Sequence, residues 1–291
     1  MESGVRTGQG TAAGSFMVSA GMSDRAMTDR ILETADQAGP RAALIDAAGG
    51  AVTAWPRFAR TVRSAACGLA RRGLADGDTA GVLVQDAASA ALAVNAIRAA
   101  GGAACLIEPG ASPADIAARL SACGARLLIT SAPLAGLAAE AADRSRVRQV
   151  IAFGEAPGTT SFGSLLSFPG ECAADGSGRP KEGNGLADQH VLAPEGDEGP
   201  VSAPRAGAGT GPEGARPLTH RDVVIAAPPC GDGQAYLSLL DLILLTGATL
   251  VAAPVTLVAA ATRVYQGTAA IVPRGTRVPG VLPELLFPVT S

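Results

Sequence analysis

The chain has 291 residues, of which 47% are hydrophobic, 17% charged and only 3% aromatic, against roughly 25% charged in an average globular protein. That length suits one large domain or two smaller ones, with a core built from small and aliphatic side chains rather than aromatic anchors. A net charge of −3 offers no basic face to neutralise phosphates, so nucleic acid is excluded as the expected partner.

The first 29 residues are rich in Gly, Ser and Ala and lack an apolar stretch flanked by basic residues. They read as a flexible leader, not a signal peptide, with Met17, Met22 and Met27 as alternative starts. From residue 30 to 153 helical and extended periods alternate. Arg57 to Arg72 place Phe58, Val62, Ala65 and Leu69 at the spacing of one helix face, and Gly73 is the expected stop. Arg60, Arg63, Arg71 and Arg72 belong to that helix and read as a solvated face. Asp76 and Asp78 in GLADGD read as turn residues. Thr79 to Val84 form a continuous apolar run, the mark of a strand covered on both faces. A helix over AASAALAVNAIRAAGG, a strand over AACLIEP and a helix over SPADIAARLSACG follow. The last opens with Ser112 as N-cap, Pro113 in the first turn and Asp115 completing a box. RLLIT, SAPLAGLAAEAAD and RQVIAF continue as strand, helix, strand. This alternation predicts an α/β fold with parallel sheets flanked by helices.

At Gly154 the composition turns to Gly, Pro, Ser, Asp and Glu, and residues 154–200 read as a linker. Order is expected again over 201–291, a partial second subdomain. THRDVVIAA is expected to form a short helix capped by Thr219, and QAYLSLLDLILLTGATLVAAP a helix, a glycine stop and a strand. TAAIVP reads as a strand and VPGVLPELLFPVTS as a Pro-rich tail. The apolar run from Ala235 to Val255 is the most membrane-like stretch, but Asp241 charges its middle and Gly247 and Pro254 break it, so no membrane span is expected.

Five cysteines, at 67, 105, 123, 172 and 230, form no Cys-x-x-Cys pair, and His190 and His220 are the only histidines. No metal site follows from them, and most of the cysteines read as small buried thiols in a reducing cytoplasm. No catalytic residue is assigned. His220 lacks an identifiable partner for general-base work. Cys230 has no nearby His to activate it and, with Asp232, reads as part of a turn.

The order of these elements resembles the N-terminal portion of the adenylate-forming superfamily, and most closely acyl-CoA synthetases of the 4-coumarate–CoA ligase type. The resemblance is carried by RAALIDAAGGAVTAWPRFARTV, by GLARRGLADGDTAGVLVQ through ARLLIT, by APGTTSFGSLL, and by TGATLVAAP and GTAAIVP. It implies a phosphate loop at 207–214, so Gly207, Gly209, Thr210, Gly211, Gly214 and, at the following helix start, Thr219 are the nucleotide-binding candidates. ATP or AMP with Mg²⁺ and a small carboxylic acid are the ligands that the resemblance implies. The family's loop reads Ser-Gly-Thr-Thr-Gly-x-Pro-Lys-Gly. Its backbone amides nest around phosphate, its hydroxyls add donors and its lysine adds charge.

Here Glu213 stands in place of the lysine and Thr210 is the one hydroxyl of the loop. A unit charge at about 4 Å is worth roughly 4 kcal/mol at an effective dielectric near 20, and about 1.4 kcal/mol is tenfold in affinity. Arg205 and Arg216 flank the loop, yet a misplaced fork is a poor substitute for a positioned cation. The connection after THR is abrupt, as though a piece were deleted, and the Phe-His gate of the family is replaced by PPCGDG. By the same resemblance, the segments that bind adenine and ribose and the C-terminal lid with its lysine would lie beyond Ser291. The expectation is therefore a truncated, catalytically impaired ligase-like protein. Such a protein would serve as a binding or interaction module, docking on a full-length ligase or keeping a vestigial small-molecule pocket. The alternative is the active half of a split ligase completed by a complementary C-terminal chain.

Overall fold

The computed structural model describes residues 23–167, 218–229, 233–273 and 286–289. In chain order the first part runs α1 (Asp24–Gln37), β1 (Ala42–Asp46), β2 (Val52–Ala54), α2 (Trp55–Arg71), β3 (Thr79–Leu83), α3 (Ala87–Ala99), β4 (Ala103–Leu106), α4 (Pro113–Ala122) and β5 (Leu127–Ser131). A 3-10 turn at Ala132–Leu134 leads to α5 (Ala135–Asp143), β6 (Gln149–Phe153), β7 (Thr160–Ser161) and a 3-10 segment at Phe162–Ser167. The second part holds β8 (Val223–Ala226), α6 (Gly233–Thr246), β9 (Thr249–Ala252), a 3-10 turn (Val255–Leu257), α7 (Val258–Val264), β10 (Ala269–Pro273) and β11 (Leu286–Val289).

These strands make two sheets. One has the order β4-β3-β5-β6-β7, and all of its pairs are parallel. The other has the order β11-β10-β8-β9-β1-β2 and is parallel except for β1 against β2. The expected class, parallel sheets flanked by helices, is what the chain adopts.

The helices explain how the sheets are joined. α2 buries its predicted face, Phe58, Val62, Ala65 and Leu69, fully, and from Ser64 to Leu69 every residue is buried. Gly73, just past its end, takes φ 92° and Gly247, just past α6, takes φ 70°, the left-handed geometry that stops a helix cheaply. α3 differs, because Ala87, Ala90, Ala91, Ala93, Val94 and Ile97 bury it nearly all round. A helix apolar on every side belongs inside, and α3 lies against β3 and β4 on one hand and β1 and β9 on the other. One apolar core consequently runs from Val82 and Ile129 in the first sheet to Val224 and Leu250 in the second. A smaller core around Ile116, Leu120 and Leu128 sits beneath α4 and α5.

Several expectations are corrected. The stretch read as leader turns helical at Asp24, where Ser23 caps α1 by accepting from the Ala26 amide. Thr219 to Arg221 do not start a helix; they form a turn, and β8 begins at Val223. The β-branched run Val223–Ile225 fits a pleated strand better than a helix. Within the segment read as linker, β7 joins the first sheet, and the 3-10 segment that follows buries Phe162 and Leu165. The tail read as irregular pairs in parallel with β10 over Leu286–Val289. Cys105 and Cys123 are free thiols, whereas Cys67 is disulfide-bonded, so the reduced-thiol reading does not extend to it. Asp78 is a turn residue as expected, its carboxylate accepting from the Ala75 amide at 3.0 Å. Among the described residues no helix is long and apolar enough to cross a membrane.

Candidate functional site

Open parallel sheets bind ligands outside the carboxyl ends of their strands, where the strand order reverses. Each sheet has such a point: between β3 and β5 in the first, and between β8 and β10 in the second. At the first, the Gln85 amide donates to Ser131 Oγ at 3.1 Å, and Asp86 caps α3 by accepting from the Ser89 amide at 2.7 Å. A carboxylate already occupies that helix start, which makes it a poor cradle for an anion.

The second point is built differently. The Ala227 amide donates to the Ile271 carbonyl and the Ala253 amide to the Ala226 carbonyl, so backbone bonds hold the strand ends together. Tyr236, fully buried in the first turn of α6, donates its hydroxyl to the Ala227 carbonyl at 2.6 Å. That bond ties the start of α6 to the end of β8. Gly233 opens the helix against β4: a side chain there would meet the Leu106 carbonyl oxygen at 3.1 Å. The carboxyl ends of β8 and β10 are thus bonded to each other, the end of β8 is tied to the start of α6, and that start is seated against the end of β4.

Of the predicted nucleotide-binding residues, Gly207, Gly209, Thr210, Gly211 and Gly214 lie outside the described residues, as do Glu213, Cys230 and Asp232. Thr219 is described and lies at the opposite, amino end of β8. Its amide and hydroxyl both donate to Asp222 Oδ2, at 2.7 and 2.9 Å, and its hydroxyl oxygen accepts from the Arg221 amide. Asp222, 2% exposed, also accepts from the Thr268 hydroxyl at 2.8 Å. Thr219 therefore pins the turn into β8. His220 is exposed beside it, and its carbonyl accepts from Arg41 Nη1 at 2.6 Å. Among the described residues no group of three or more His, Cys, Asp or Glu could hold a metal ion. The residues missed in the sequence are Tyr236 and Gly233. The signal was a single Tyr within an apolar helix, since a buried phenol requires an acceptor.

A family model described as AMP-binding enzyme matches residues 31–190, more than half of the chain. The chain belongs to the AMP-binding enzyme family. No curated protein sequence matches this AMP-binding family member. Its fold is similar to a long-chain-fatty-acid–CoA ligase of Archaeoglobus fulgidus, with TM-score 0.61, 14% identity, 85% of this chain and 51% of that one. A benzoate–CoA ligase from Burkholderia xenovorans superposes with TM-score 0.62 at 16% identity, over 84% and 49%. The N-terminal domain of FACL13 from Mycobacterium tuberculosis gives 0.61 at 14%, over 88% and 68%. The chain spans about half the length of the first two. Together these make it an AMP-binding enzyme family member with the fold of the N-terminal part of such ligases.

Proposed function

We propose that this AMP-binding family member is catalytically impaired and keeps the two-sheet scaffold as a module that binds a small carboxylic acid or docks on a full-length ligase. Glu213, where the family's loop carries lysine, is the observation that carries this reading. The turn at Thr219–Asp222 supports it: β8 follows that turn at once, and Thr219 spends its hydroxyl on Asp222. ATP or AMP, with Mg²⁺ carried on the phosphates, is the ligand that such a loop would meet with the wrong sign of charge.

Calorimetric titration of the protein with ATP·Mg²⁺ and with AMP tests this reading, alongside Glu213→Lys. The wild type is expected to show no saturable ATP binding, and Glu213→Lys to gain at least about tenfold, the equivalent of about 1.4 kcal/mol. Pyrophosphate release from ATP and a carboxylic acid by the wild-type chain alone would overturn it. The second reading is an adenylating half completed by a separate chain. The span of about half the length of the ligases above favours it, and restored pyrophosphate release on adding such a chain is its expected outcome.

A further inference from the structure

We infer that Cys105 and Cys123 form a dithiol that a hydroperoxide closes to an intramolecular disulfide, a modification site where β4 meets the end of α4. Three observations bring the two residues to one patch of the molecule. Cys105 lies opposite Gly81 in the β3–β4 pairing. Gly81 leaves room for Leu120 of α4, whose Cδ2 lies 2.5 Å from where a side chain would begin, so α4 settles directly on this patch of the sheet. Cys123 is three residues beyond Leu120, hence on the same side of the helix. It caps α4, its amide bonding to the Arg119 carbonyl and its thiol donating to the Leu120 carbonyl at 3.4 Å. Both thiols pack against the same small core. Both residues are free and partly exposed, at the margin of the smaller core. A small peroxide can reach them, and side-chain rotation of neighbouring thiols closes them to the bonding distance of about 2.05 Å.

The two thiols are not equivalent. Burial first, then the hydrogen bond to Cys123, pushes the Cys105 thiol up to about 12, against the opposing pull of Arg119. Cys105 therefore keeps its proton at neutral pH, and Cys123 is the thiol that reacts first. With hydrogen peroxide, the Cys123 sulfur attacks one peroxide oxygen. The O–O bond breaks and the departing hydroxide takes up a proton to leave as water, so Cys123 becomes a sulfenic acid. The Cys105 sulfur then attacks the sulfenic sulfur. The S–O bond breaks, the hydroxyl leaves with the Cys105 proton as a second water, and the S–S bond forms. Two thiols lose two electrons and one peroxide gains them. The bridge ties β4, one residue before the Leu106 carbonyl that Gly233 abuts, to the end of α4.

The test is peptide mapping of the full chain, first reduced, then treated with hydrogen peroxide in the folded state or in urea, and alkylated. A Cys105–Cys123 cross-linked peptide is expected, forming about tenfold faster in the folded chain because the fold supplies the proximity. In Cys105→Ser, Cys123 should stop at a sulfenic acid trapped by dimedone. In Cys123→Ser, Cys105 should stay alkylatable. Both thiols alkylated in the folded wild type, equal rates in urea, or cross-links of either residue to a different cysteine would each overturn the inference.

Discussion

Arg98 is 2% exposed, yet it carries a full charge between the two sheets. Its Nη1 reaches both oxygens of Asp241, at 2.7 and 3.0 Å, and joins α3 to α6. Its Nε has no hydrogen-bond acceptor; Asp24 Oδ2, at 3.6 Å, offsets charge there without a bond. Burial pushes the Asp241 carboxyl above its ordinary 3.8, Arg98 pulls it back through charge and hydrogen bond, and Asp24 adds to the rise. A carboxyl raised in the folded state favours folding below its unfolded pKa and loses that contribution as pH climbs through the folded value. Removing Arg98 raises the carboxyl further. Arg98→Met should therefore cost about 3–5 kcal/mol at neutral pH and regain part of it at a mildly acidic pH, because the raised carboxyl takes up a proton more readily. Asp241→Asn strands a cation that cannot neutralise, so its loss should not shrink in acid. Urea denaturation at the two pH values checks both. The sequence showed Asp241 only as a charge interrupting an apolar run. Its partner, 143 residues away, was illegible because a long-range pair leaves no local pattern.

Local chemistry was far easier to read at the level of elements. Ser112 accepts from the Asp115 amide at 3.2 Å and donates to the Asp115 carboxylate, the box read from SPAD. Ser112→Ala should cost about 1 kcal/mol, measured as a fall in urea midpoint with unchanged slope. Elements were misread where one signal masked another. Thr219 followed by His, Arg and Asp looks like a capped helix start, but Asp222 turns back to Thr219 and the strand begins at once. Polar α1 has Ser23 as its cap, yet its first residues follow directly on a Gly-, Ser- and Ala-rich stretch that hides the boundary. Pro288 argued against a strand at the chain end; β11 tolerates it because it pairs on one side only, at the sheet margin. The loop at 207–214 rests on family resemblance, since a Gly-rich stretch alone is weak.

At the scale of the whole molecule, one apolar core passes from sheet to sheet. α3 is packed between both sheets, and the apolar cluster is continuous across them. A substitution that overfills this layer should loosen both sheets at once. Ala93, fully buried, is the place: Ala93→Leu is expected to cost about 1–3 kcal/mol. Amide hydrogen exchange should then quicken in β3 and in β9 alike, where two independent domains would respond on one side only. The layered order itself was readable, because strands covered on both faces and a helix of small residues both point to burial. At one margin of each sheet the last strand is minimal, three residues in β2 and two in β7. So short a border offers a stray chain hardly any backbone to zip against. Those two margins resist recruitment into aggregates by geometry, without relying on the modest surface charge to keep copies apart.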